Sequence, residues 1–163
     1  MMQKALCDEL KKLFDGKKYS GQQSKKALKI FEQCLPVDEG NDEDVDTDAA
    51  ASPYIVAILS GGTINSPDKT QIVSVMLTIC CYDDGLEREG YQDVMNIIED
   101  IVQHFREYPQ FGGAFEVMFE PDHEITWAMQ MDDTRPYYFG AALLDITSPS
   151  MTGDQNENWR NMI

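Results

Sequence analysis

Histidine is scarce in this 163-residue chain, with two copies, and no HExxH, GxSxG or CxxC pattern occurs in it. A zinc hydrolase needs closely spaced imidazoles, a serine hydrolase needs its glycine-flanked nucleophile, and a thiol redox centre needs paired cysteines. None of these chemistries has its signature here, so no catalytic residue, cofactor or metal ligand is expected. His104 follows Asp100 by four residues and reads as a surface ion pair at helical spacing, while His123, in Glu120-Pro121-Asp122-His123, reads as a turn residue. Cys7, Cys34, Cys80 and Cys81 read as reduced packing residues, since neighbours on a strand such as Cys80 and Cys81 point to opposite faces. Basic side chains are also few: 13 against 29 acids, a formal net charge of −16. Grasping a nucleic-acid backbone needs a basic footprint, which argues against DNA binding. The longest apolar run, around Ile72 to Cys81, falls short of the roughly 20 residues of a membrane helix. No charged and apolar leader opens the chain, and a cytosolic protein is expected.

What the chain does hold is charge, unevenly spread. Lys4, Lys11, Lys12, Lys17, Lys18, Lys25, Lys26 and Lys29 all fall within the first thirty residues, with Asp8, Glu9 and Asp15 against them. The remainder is correspondingly acidic, so the basic arm can dock on its own domain or on a neighbouring copy; two differently solvated surfaces are the alternative. From Asp38 to Asp48, seven of eleven residues are carboxylates, which repel one another with little apolar side chain to order them. That predicts a mobile acidic loop over 36–52. Asp42, Asp44, Asp46 and Asp48 lack the glycine and terminal glutamate of an EF-hand, so solvation is preferred to calcium binding. Gly61-Gly62 has no GK[ST] after it and precedes a strand, so Ser60 to Asp68 is expected to be a hairpin loop rather than a phosphate cradle.

Periodicity supplies the architecture. Leu6, Leu10, Leu13 and Phe14 form one face of a helix from Gln3 to Phe14, with Gly16 as its stop. Ala27 to Cys34 reads as an edge strand guarded by Lys29, although so short a run also fits a helical turn. Pro53 opens a strand over Tyr54 to Leu59. Between Gln71 and Tyr82, Val73, Val75, Leu77, Ile79 and Cys81 alternate with more polar residues, the mark of a half-buried strand. Tyr91, Val94, Met95, Ile98, Ile101, Val102 and Phe105 then recur at helical spacing and should cover it. Pro109 and Gly112-Gly113 end the helix and turn the chain. Phe115, Val117 and Phe119 share a strand face, as do Ile125, Trp127, Met129 and Met131. Asp132 to Pro136 makes a loop before a last strand, Tyr138 to Ile146, with Ala142, Leu144 and Ile146 in register. The expected fold is α+β: one domain over 1–149, a mainly antiparallel sheet packed against a long central helix and an N-terminal helix, followed by a polar tail over 150–163.

The order of these features resembles a known family. Leu35-Pro36, an acidic loop, Pro53-Tyr54-Ile55-Val56, a long strand ending Tyr82-Asp83, and then Glu89-Gly90-Tyr91-Gln92-Asp93-Val94-Met95-Asn96-Ile97-Ile98 are similar to the tail terminator, or tail completion, proteins of tailed bacteriophages. Phe115 to Phe119, Glu120-Pro121 and Arg135-Pro136-Tyr137-Tyr138-Phe139-Gly140 resemble that family's closing pattern. The likeness runs from the N-terminal helix to about Pro149, outside the lysine-rich stretch, the acidic loop and the tail. It implies a structural protein of the virion, made in the host cytoplasm, that assembles as a hexameric ring on the head-proximal end of the tail tube. There it ends tube polymerisation and presents the head-tail joining surface. Implied partners are further copies, the tail tube protein, connector or neck proteins and, in a contractile tail, the sheath protein; DNA passes through without specific binding and no membrane is involved. Another neck ring protein, or an acidic DNA mimic, are the alternatives. Loops that join strands, carry turn-forming residues and lack apolar periodicity are free to meet partners. On that ground Ser60, Gly61, Gly62, Asn65, Asp68, Lys69, Asp132, Asp133 and Arg135 are the expected partner-interface residues.

Overall fold

The computed structural model of the chain describes residues 2–19, 26–35, 53–64, 71–83, 85 and 90–149. The acidic segment 36–52 and the tail 150–163 lie outside the described residues. In chain order the elements are α1 (Met2–Leu13), β1 (Lys18–Tyr19), β2 (Lys26–Ala27), β3 (Lys29–Glu32), β4 (Tyr54–Thr63) and β5 (Gln71–Tyr82), then α2 (Gly90–Glu107), β6 (Gln110–Phe111), β7 (Phe115–Val117), β8 (Thr126–Met129) and β9 (Tyr137–Ser148). β1 and β2 make a small antiparallel pair, and the other seven strands form one curled sheet in the order β3-β4-β5-β9-β7-β6, with β8 also paired to β9. The β3–β4 pairing is parallel and the rest are antiparallel.

The sheet's spine is the β5–β9 ladder, twelve residue pairs long from Gln71↔Ser148 to Tyr82↔Tyr137. Alternation decides its two faces: Val75, Leu77, Ile79 and Cys81 of β5 and Ala142, Leu144 and Ile146 of β9 are buried on the face toward the helices. Val94, Ile97, Ile98, Ile101 and Phe105 of α2 complete that core. Ile97, absent from the expected stripe, is fully buried, whereas Tyr91 is half exposed, because the helix meets the sheet along a line turned slightly from the one the pattern suggests. α2 comes close to β9 where glycines leave room. A Cβ on Gly90 would collide with the Tyr138 ring, and one on Gly140 would sit 2.6 Å from Val94 Cγ1.

α1 buries Met2, Leu6, Cys7 and Leu10, with Phe14 just beyond its last turn. It ends at Gly16, whose φ of 76° is the left-handed value expected of a helix stop. The helix touches β3 and β4 at one edge of the sheet and β6 at the other, so it spans the gap left by the curl. Gln3 pins it there by donating to the Ala57 carbonyl at 2.8 Å and to Gln33 Oε1 at 3.0 Å.

Several local expectations are corrected. The strand expected to stop at Leu59 continues to Thr63, and Ser60 to Thr63 belongs to β4 rather than to a loop. The register shifts between Leu59 and Gly61, and the extra Ser60 donates its hydroxyl to the Ser74 carbonyl at 3.0 Å. A bulge thus lets the pairing run past a sequence that reads as turn. Ala27 to Cys34 does contain an edge strand, β3, although its pairing is parallel. Phe119 lies beyond β7 and is exposed, and Trp127 and Met131 are exposed as well, because neither helix extends over them. Ile125 and Met129 of the same run do pack against the core.

Candidate functional site

On the sheet face turned away from the helices, alternation brings out Ser74 of β5 and Asp145 of β9, which are register partners. Ser74 Oγ donates to Asp145 Oδ1 at 2.6 Å, and His123 Nδ1 lies 2.8 Å from Asp145 Oδ2. The chemistry of this Ser-Asp-His group follows from its order. A nucleophilic serine needs the imidazole between it and the carboxylate to take its proton. Here the carboxylate is in the middle, so His123 has no path to Ser74 Oγ, and the group acts as a clamp. It holds the Glu120–His123 bridged turn against β9, making His123 more than the turn residue its loop suggested. Partial burial, the largest influence on Asp145, pushes its pKa up, but the hydrogen bonds from Ser74 and His123 and the charge of His123 together outweigh it and leave the carboxyl below its ordinary value. A depressed carboxyl stabilises the fold fully above its unfolded value of about 3.9, and this contribution is lost as the pH falls through the folded value. Asp145→Asn is expected to cost about 1 kcal/mol near neutrality, as for a hydrogen bond to a charged group at a part-exposed site. Urea midpoints of wild type and variant should therefore differ at pH 5 and converge toward pH 2; a gap that stays constant across that range would contradict the clamp.

Further along the same face, Tyr54, Val56 and Cys80 form a second buried cluster, with Phe31, Leu35, Ile58, Tyr137 and Phe139 packed on it. Cys80 thus lies on this face and Cys81 in the main core, as neighbours on a strand must. Burial pushes the Cys7 thiol up to about 11 and raises that of Cys81 further, so neither offers a thiolate near neutrality. Cys34 is exposed, which corrects its reading as a packing residue.

The described residues among the expected interface positions fall in two separate places. Ser60, Gly61 and Gly62 are exposed at the far end of β4, near the β5–β9 end marked by Ile72↔Thr147. Asn65, Asp68 and Lys69 lie outside the described residues. Asp132, Asp133 and Arg135 precede β9 at the opposite end, about 30 Å away by strand rise. There the Arg135 side chain donates to both carboxylate oxygens of Asp133, its Nε at 2.7 Å, a bidentate pair that stiffens an exposed loop. Among the described residues, no group of three metal-ligating side chains occurs and no helix is long and apolar enough to cross a membrane.

α2 carries two different flanks. On one, Asp100 accepts from Lys17 at 3.3 Å and His104 Nε2 meets Glu9 Oε1 at 2.9 Å, tying the helix to α1 and the residues just after it. His104 therefore pairs across to α1 rather than with Asp100. On the other flank Met95, Ile98 and Val102 line a groove closed by Trp127 of β8 and rimmed by Glu99 and Glu107. Trp127 is 52% exposed, Tyr91 at the head of the helix 50%, and Met131 after β8 94%. This apolar flank was not legible in the sequence, where Trp127 and Met131 share the alternation of core residues. No protein-family model and no curated protein matches this chain.

Proposed function

We propose that the chain is a structural protein of a tailed-bacteriophage virion. It forms a hexameric ring at the head-proximal end of the tail tube, ends tube polymerisation and provides the surface to which the head joins. One observation carries this reading: the loop-bearing ends of the long β5–β9 ladder lie at opposite extremes of the domain, with the helices packed along one face between them. A subunit so built can meet the tube at one end and the neck at the other while its flanks remain available to its neighbours. The net charge of −16 suits a ring through which DNA slides, since a wall that repels phosphate does not hold it. The test is electron microscopy of the purified protein and of particles assembled without it. Closed rings, and tails of uncontrolled length or without heads when the protein is withheld, are the expected result. A protein that stays small and binds a basic partner with steep salt dependence would replace this reading with that of a DNA mimic.

A further inference from the structure

We propose that the two flanks of α2 are the two halves of one contact between copies of this chain: the lysine-bearing outer face of α1 in one copy seats on the groove between α2 and β8 of the next. The proposal rests on the ring reading and names the surfaces that build the ring.

The geometry comes from the helix itself. At about 100° per residue, Asp100 and His104 point roughly 150° away from Met95, Glu99 and Val102 around the α2 axis. The first pair holds α1 and Lys17, and the second set lines the groove with Trp127. The bulk of α2 stands between them, so a chain cannot lay its own α1 in its own groove. Complementary surfaces on opposite flanks give a head-to-tail contact, and repeated head-to-tail contacts close into a ring when the rotation allows.

The chemistry of the two surfaces matches. Tryptophan and methionine are enriched at interface centres, and here Trp127 is left half exposed beside the half-buried Met95 and Val102 of α2. The outer face of α1 presents Lys4, Lys11 and Lys12, all exposed. Their aliphatic stems can lie on the Trp127 ring while the ammonium groups reach Glu99 and Glu107, and the exposed Asp8 among them can meet Arg106 of the groove. At longer range, the basic first thirty residues and the acidic remainder attract copies in this orientation and disfavour like ends meeting.

Sedimentation velocity of the full-length protein tests the contact. Lys11→Glu with Lys12→Glu, Glu99→Lys with Glu107→Lys, and Trp127→Ala alone should each raise the concentration needed for assembly at least tenfold. Far-UV circular dichroism should stay unchanged, since all these side chains are exposed. Mixing the two charge-reversed proteins should restore assembly, because copies that alternate place an acidic α1 face on a basic groove and a basic face on an acidic groove at successive contacts; combining both reversals in one chain should restore it as well. Rings whose formation ignores both reversals would overturn the contact while leaving the ring reading intact. Charge-dependent association that stops at open dimers would support the contact and overturn the ring, and a wild type that never associates would overturn both.

Discussion

Phe105→Ala is expected to lower the free energy of unfolding by about 3–5 kcal/mol, the range for emptying a well-packed aromatic site. Among the described residues Phe105 is the largest of the fully buried side chains, and its ring meets that of Phe111 edge-on with centroids 5.9 Å apart. It joins α2 to the β6–β7 hairpin at the point where the sheet curls back toward α1, so its removal leaves a cavity that three elements would have to close. Against a total of about 5–15 kcal/mol for an ordinary domain, such a loss is a large fraction. Leu77→Ala and Ile98→Ala, in the strand and helix of the same core, should each cost about 2–5 kcal/mol. Guanidinium midpoints measured by circular dichroism check all three, with the exposed Tyr108→Ala as a reference that should move little. Unchanged midpoints for the three core variants would refute the packing of α2 on β5 and β9.

Adding a single methyl group at the α2–β9 contact should also destabilise the protein. Gly140→Ala places a Cβ 2.6 Å from Val94 Cγ1 and 3.2 Å from Met129 Sδ, and Gly90→Ala places one within 3 Å of three atoms of the Tyr138 ring. Met129 can yield, but Val94 is fully buried and Tyr138 is wedged beneath the head of α2, so the helix must lift. The expected cost is about 1–3 kcal/mol for each change. Gly61→Ala is the informative contrast: a Cβ there meets nothing within 4 Å, and alanine is preferred to glycine in a strand by up to about 1 kcal/mol. Thermal melts of the three variants should therefore separate Gly90 and Gly140 from Gly61. Equal melting temperatures would show that α2 stands farther from β9 than the contact distances indicate.

The elements these predictions rely on were largely legible in the chain. Alternation over Gln71 to Tyr82 and the heptad-like stripe of α2 are local patterns, each several turns or pleats long, and each sets which face an element must bury. They led to the right fold class, the right pairing of helix layer with strand core, and the edge position of β3 with Lys29 on it. Short patterns were less reliable. Ser60-Gly61-Gly62 carries turn residues yet continues β4, because the paired β5 strand and a bulge at Ser60 overrule local preference. Trp127 and Met131 share a face with Met129, but whether a face is covered depends on where a helix fifteen or more residues away ends its reach.

The candidate surfaces divide in the same way. The charge asymmetry between the first thirty residues and the rest, the absence of a nucleophile motif and the polar loops at Asp132 to Pro136 are properties of composition and order, and the sequence alone determined them. Tertiary structure decided that His104 pairs with Glu9 and His123 with Asp145, that Ser60 to Gly62 and Asp132 to Arg135 sit at opposite ends of the β5–β9 ladder, and that α2 keeps one flank for α1 and leaves the other open beside Trp127. The reason is range: periodicity tells a side chain which way to face, while its partner is set by elements brought together from distant parts of the chain, and no local pattern records that distance.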